Sequence, residues 1–279
     1  MTRKKQKGYL AGAISVALIV VFAAPLLVSV LASIKSKLEA ASLPPTYLPH
    51  SFSFESYERL WSYQSGLVTY AGNSLGTALI TIVLCLGLTI PAGYGLARYP
   101  VPFKEPIFVL LLLALIIPYQ ALLTPLFFMF VKINLHNSLL GLAILHTSIQ
   151  LPFSLYVMRN AFETVPKELE EAGIVDGCNS FQILRRVFLP AIVPAIITVA
   201  LFAFITSWNE FLGALVLLSK DTSFTLPVIL AAARQQTILG GTDWGMLQAG
   251  ITISVLPCIL FYVLLQKYYV SGLLSGAVK

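Results

Sequence analysis

From Tyr9 to Ile34 the chain carries no charged side chain, and five further stretches of similar character follow it. A bilayer core of roughly 30 Å takes about 20 apolar residues in a helix, and within it every backbone N–H and C=O needs a protein partner. Runs of this length are therefore expected to fold as membrane-crossing helices. Six are predicted, over about 9–34, 72–97, 106–131, 138–158, 190–218 and 244–265. Only 11% of the residues are charged and 57% are hydrophobic, against about 25% charged in an ordinary soluble domain. The connecting segments leave no room for an appended soluble domain, so residues 1–279 read as a single all-α transmembrane domain. The basic start followed by an apolar run also fits a secretory signal, with Val30 and Ala32 near a cleavage site. The run exceeds the roughly 7 to 15 residues of a signal core, which favours an uncleaved first helix.

Lys and Arg set the orientation. With the N-terminus inside, Arg3, Lys4, Lys5, Lys7, Arg98, Lys104, Arg159, Lys167, Arg185, Arg186, Lys267 and Lys279 fall on one side. Lys35, Lys37, Arg59, Lys132, Lys220 and Arg234 fall on the other. The excess lies with the N-terminal side although the opposite loops are longer, so both termini and the segment between spans four and five are expected to be cytoplasmic. The net charge of +6 does not indicate nucleic acid, because the basic residues sit at span ends and form no groove interleaved with aromatics. Cys85, Cys178 and Cys258 show no CxxC spacing and no His neighbour, so they read as packing residues and no metal site is expected. Pro44, Pro45 and Pro49 with the run FSFESYERLW mark an extramembrane loop over 35–71, with a short amphipathic helix about Ser56–Ser62. A second polar loop covers 219–243.

The segment Thr164–Pro190, TVPKELEEAGIVDGCNSFQILRRVFLP, is the one long charge-bearing insert between hydrophobic spans. Pro166 suits the first turn of a helix, and Glu168, Glu170 and Glu171 complement the positive end of its dipole. Asp176 and Gly177 form a breaker pair able to supply a left-handed residue, after which Asn179 or Ser180 can cap a second helix. Phe181, Leu184 and Phe188 recur there at helical spacing beside Arg185 and Arg186. This apolar stripe needs a covering surface: the chain's own span ends, another protein, or the membrane surface on which an amphipathic loop lies. The glutamates weigh against an anionic lipid surface.

Glu171, Ala172 and Gly173, then Gly177, then Val187, Leu189 and Pro190 keep the spacing of the signature loop of ATP-binding-cassette importer permeases, which this insert resembles. Gly173 stands where that signature usually has Ala, and Val187 where it has Ile; glycine costs up to about 1 kcal/mol relative to alanine inside a helix. GYGLARY after Pro91, Pro118 with Pro125, Trp208-Asn209-Glu210-Phe211 and the tail YYVSGLLSGAVK are similar to the carbohydrate-uptake class, and more narrowly to the smaller permease of maltose-type importers. The resemblance implies a multi-pass permease of a prokaryotic plasma (inner) membrane, in which loop 159–189 is a cytoplasmic coupling helix-turn-helix. Glu168, Glu171, Ala172, Gly173, Asp176, Gly177, Leu189 and Pro190 are then the coupling residues that dock an ATPase over 166–190. The implied partners are a second permease, two cytoplasmic ATPase subunits, an extracytoplasmic solute-binding protein and membrane lipid. With no GxxxxGK[ST] run in the chain, ATP and Mg are expected on the partner ATPase, no cofactor on this polypeptide, and no enzymatic activity of its own.

Polar side chains inside spans are costly and face protein or a watery path. Tyr119, Gln120, His146, Gln150, Asn209, Glu210 and Gln248 are the candidate substrate-pathway residues, with Thr124 beside them. For each, an ordinary hydrogen bond between helices is the simpler account. Glu210 stands out by charge, but its place toward the outer end of span five is expected to leave it wet. His146 has no acidic neighbour in sequence and does not by itself make a proton relay. Pro91, Pro118, Pro125, Pro152, Pro194 and Pro257 are expected to be kinks tolerated in lipid. A stand-alone secondary transporter or channel would need mid-membrane charges or an inverted repeat, and a membrane scaffold would not need the signature spacing.

Overall fold

The computed structural model describes residues 2–236 and 243–277, with side chains over 12–234 and 243–266. All regular structure among the described residues is helical. In chain order the helices are α1 (Thr2–Ser33), α2 (Lys37–Ala40), α3 (Glu55–Trp61), α4 (Leu67–Arg98), α5 (Lys104–Leu113), α6 (Leu123–Lys132) and α7 (Leu139–Thr164). They continue as α8 (Lys167–Val175), α9 (Ser180–Ile183), α10 (Leu189–Ala191), α11 (Val193–Asn209), α12 (Leu212–Leu217), α13 (Leu226–Gln236) and α14 (Trp244–Ala277). Among the described residues four helical stretches are long and apolar enough to cross a membrane: Gly12–Ser33, Leu67–Arg98, Leu139–Thr164 and Trp244–Gln266. Two bent pairs, Lys104–Ile116 with Tyr119–Lys132 and Ser180–Ala191 with Val193–Asn209, raise the number to six if each pair is one crossing.

The chain forms two compact units, Met1–Val68 with Ile229–Pro257 and Thr69–Val228 with Cys258–Lys279. In the first, the loop after α1 is ordered by polar contacts. Lys35 is buried and donates to the carbonyl and hydroxyl of Thr46. The Glu39 carboxylate accepts the His50 amide, the His50 ring nitrogen and the Thr46 hydroxyl. The amide and ring of His50 hold that carboxyl below the usual carboxylate range. Arg59 on α3 makes paired bonds of 2.7 and 3.1 Å to Asp243, fixing α3 against the start of α14. Within the polar loop 219–243, residues 237–242 lie outside the described residues.

In the second unit α7 lies along α11 and contributes to two apolar cores among others. Tyr94, Met158, Phe162, Ile183 and Phe188 form one, at the ends of α4 and α7. Phe130, Leu142, Leu145, Ala214 and Leu217 form the other. Entry into α7 is tight: a Cβ on Gly141 would fall on the Leu135 carbonyl oxygen, well inside van der Waals contact. A backbone atom cannot swing aside, so Gly141→Ala should cost about 1–3 kcal/mol, the usual range for an overpacked site. The check is a lowered thermal unfolding midpoint of the detergent-solubilised protein; an unchanged midpoint would refute the close approach.

Besides starting early in the first two spans, at Thr2 rather than 9 and at Leu67 rather than 72, the helices depart from the expected spans at four places. Span three is interrupted, its two halves meeting at 90°, because Pro118 lacks an N–H and drives Ile117 into extended backbone (φ −78°, ψ 119°). That proline makes a break, whereas Pro91, Pro152 and Pro257 sit inside continuous helices. Span four runs six residues past 158, to Thr164. Its charges are accommodated there, with Arg159 bonded to Glu163 and Glu105 and lying over the Phe108 ring. The helix ends where Pro166 forces Val165 extended. Span five bends by 78° near Ile192, where Pro190 and Pro194 remove two donors from the helical ladder, and its helix stops at Asn209 rather than at 218. After 265 the proline-free tail continues α14 to Ala277.

Candidate functional site

The insert between α7 and α9 is built by local signals. Pro166 stands at the N-cap of α8 and no side chain caps that end. At the other end the Gly177 N–H bonds to Ile174 C=O and the Cys178 N–H to Gly173 C=O, both at 3.0 Å, with Gly177 at φ +77°. These are the two bonds of a Schellman turn, in which the left-handed residue is almost always glycine. Asn179 then caps α9 reciprocally: its side chain accepts the Gln182 N–H, and the Gln182 side chain accepts the Asn179 N–H. Beyond α9 the helix widens to a π-turn over Leu184–Phe188 before α10, which contains Leu189, half-buried, and Pro190, exposed.

This geometry sorts the residues of the insert. Glu168, Glu171, Ala172, Asp176 and Gly177 are exposed, together with the apolar Leu169, Ile174 and Val175. Gly173 is buried, and its α-carbon faces Ile183, which a methyl group would meet at 3.3 Å. The glycine therefore lets α8 seat closely on α9, a tertiary role that the propensity argument overlooked. The stripe Phe181, Leu184 and Phe188 does not share one surface. Phe188 is fully buried against Tyr94 and Phe162, with ring centroids 5.2 and 5.7 Å away, and Leu184 packs on that core. Phe181 points outward at 69% exposure, because the π-turn shifts the helical register between it and Phe188. The chain's own span ends thus cover two of the three residues of the stripe. Between the end of α4 and α8 a crevice of about 470 Å³ is lined by Arg98, Lys104, Lys167, Glu170 and Glu171.

A second polar cluster joins α7, α11, α12 and the turn after Pro118. Glu210 is 8% exposed. Its carboxylate accepts the Tyr119 hydroxyl at 2.6 Å, the Gly213 and Ala214 amides at 2.7 and 3.0 Å, and His146 Nε2 at 3.2 Å. His146 Nδ1 lies 2.8 Å from the Ser207 hydroxyl. The ring is satisfied when Nε2 donates to Glu210 and Nδ1 accepts from Ser207. One expectation is corrected here, and another is extended. Glu210 is buried rather than wet, because its carboxylate caps the first amides of α12. His146 does have an acidic partner, supplied by a different helix and therefore invisible as a sequence neighbour.

The other polar candidates are dispersed. Gln150 accepts the Thr206 hydroxyl between α7 and α11. Asn209 is exposed and bonds its own helix at Ile205 C=O. Gln248 belongs to the unit containing residues 229–257. Tyr119 and Gln120 line a cavity of about 410 Å³ at the break after Pro118, with Leu126, Ser148, Ile149 and Pro152. Ser207 and the α12 amides escaped the sequence reading, since nothing local marks them. Among the described residues no group of three His, Cys, Asp or Glu side chains could hold a metal ion.

Comparison with known proteins adds a family. The family described as binding-protein-dependent transport system inner membrane component matches residues 89–274. YurM of Bacillus subtilis, a probable ABC transporter permease protein, is 35% identical over 232 residues, 83% of this chain and 76% of its own. The diacetylchitobiose uptake system permease protein DasC of Streptomyces coelicolor is 32% identical over 84% of each chain. The arabinooligosaccharides transport system permease protein AraQ of Halalkalibacterium halodurans is 31% identical over 95% of this chain and 93% of its own. In fold, the chain superposes on a crystal structure of a bacterial ABC transporter involved in import of the acidic polysaccharide alginate. That TM-score is 0.82 with 22% identity, over 96% of this chain and 98% of that one.

Proposed function

The chain belongs to the family of binding-protein-dependent transport system inner membrane components, and from that premise we propose that it is the permease half of an ATP-driven importer for a sugar or oligosaccharide. Each bent pair is one crossing, which makes six spans with both termini in the cytoplasm. A second permease completes the path, two ATPase subunits carry ATP and Mg on the cytoplasmic side, and an extracytoplasmic protein delivers the solute. No cofactor is assigned to this polypeptide. Diacetylchitobiose and arabinooligosaccharides, the solutes in the names of two relatives, support the carbohydrate class.

The observation that carries this reading is the exposed face of α8, where Glu168, Glu171, Ala172 and Asp176 stand beside uncovered Leu169, Ile174, Val175 and Phe181 on a rigidly capped helix pair. A mixed acidic and apolar face of this kind, backed by the chain's own core through Gly173 and Leu189, with Pro190 exposed beside it, suits a protein partner. Tyr119 and Gln120 are assigned to the solute path at the cavity they line, with His146, Gln150 and Glu210 behind them and Asn209 and Gln248 as further polar contacts.

The test is purification of the complex in detergent followed by reconstitution into vesicles. An ATPase and a second permease should co-purify, and oligosaccharide uptake should require ATP and the binding protein. Uptake by this chain alone, without ATP, would sink the proposal in favour of a stand-alone carrier.

A further inference from the structure

Arg98 is the last residue of α4, and its side chain is 5% exposed. Its Nη2 donates to the carbonyl of Phe162, at 2.5 Å, and to that of Val165. These are carbonyls at the C-terminal end of α7, where the Phe162 carbonyl otherwise accepts only the Val165 N–H at 3.4 Å and where a cation is favoured by the dipole. Its Nη1 lies 3.7 Å from Glu170 on α8. The guanidinium also covers the Phe188 ring, 4.8 Å from its centroid. One planar group thus touches the end of α7, the helix that follows it and the buried ring after α9, on both sides of the extended Val165–Pro166 joint.

From this geometry we infer that Arg98 is the positioning residue that joins α4 to the coupling insert. The inference rests on the proposed docking of an ATPase on α8. Movement of α8 about the Val165–Pro166 joint must either pull Arg98 along against its two hydrogen bonds to the end of α7 or break its ion pair with Glu170. The connection through Arg98 delivers the displacement of α8 to α4 directly, beside the path through α9 and α11. Lysine cannot replace it. A single ammonium on a flexible stem lacks the planar fork that reaches two carbonyls and a carboxylate together.

The experiment compares Arg98→Leu, Arg98→Lys and Glu170→Gln with the unmutated chain, each in the full transporter complex reconstituted in vesicles. Complex yield, ATP hydrolysis stimulated by the binding protein, and solute taken up per ATP are measured. The expected result is a lower yield of assembled complex for Arg98→Leu but continued hydrolysis per mole of it, and a fall in solute per ATP of about tenfold, within the range of ordinary coupling energies. Arg98→Lys should not restore it, and Glu170→Gln, which keeps the shape and loses the charge, should show a smaller fall. Unchanged solute per ATP in Arg98→Leu and Glu170→Gln overturns the inference. So does a loss of yield with uptake and hydrolysis falling in proportion in all three variants, since that describes a merely structural residue. Absence of an ATPase from the unmutated preparation instead removes the docking reading, and the inference with it.

Discussion

Gly177→Pro is expected to leave the protein in the membrane while abolishing solute-stimulated ATP hydrolysis and uptake. Gly177 sits at φ +77° and its N–H is bonded to Ile174. Proline is confined to φ near −65° and has no N–H, so the turn between α8 and α9 cannot form and the exposed face of α8 loses its orientation. The lesion is local, because Gly177 is exposed and no atom would crowd an added Cβ. That open space makes Gly177→Ala the control. It meets no clash and pays only the left-handed conformation, about 1–2 kcal/mol, so reduced but measurable stimulation is expected. The readouts are the amount of protein in the membrane and ATP hydrolysis of the reconstituted complex with binding protein and solute. Full stimulation in the proline variant would show that the turn does not transmit the work.

Glu210→Leu should instead destabilise the fold itself. The carboxylate is the common acceptor for Tyr119, His146 and the first amides of α12. Removing it leaves several buried donors with nothing to bond, at about 1–3 kcal/mol for each that finds no substitute. A net loss on the order of 3–5 kcal/mol is expected, the usual cost of stripping one partner from a buried charged pair. His146→Ala should cost less, since three donors to Glu210 remain. The measurement is the thermal midpoint of the detergent-solubilised complex by loss of monodisperse protein. A leucine variant as stable as the parent would show that water replaces the carboxylate, and that the cluster is wet.

Glu210 and Arg98 have in common that one side chain satisfies the broken end of a helix. Glu210 closes the start of α12, and Arg98 closes the end of α7. Both are ionisable groups in a chain with few of them, and both stand at a helix boundary. At the ends of α4 and α7 this makes the core of Tyr94, Phe162 and Phe188 the seat of the insert. The exposed face of α8 is then free to serve a partner, as proposed.

The apolar stretches, the helical class and the insert with its turn were legible in the residues. Each depends on a signal that acts within a few positions: run length for a bilayer, Gly177 for the left-handed turn, Asn179 and Gln182 for the cap. The membership of a transport family was legible too, in the spacing from Glu171 to Pro190. The breaks at Ile117–Pro118 and near Ile192 were only half legible, because a proline permits either a kink or a break and the packing around it chooses. What the tertiary structure alone decided was partnership across the chain. His146 meets Glu210 across 64 positions and Arg98 meets Val165 across 67. Phe188 turns inward while Phe181 turns out. Such pairings depend on how helices cross and on register shifts as small as one π-turn, and no periodicity within a single helix encodes them.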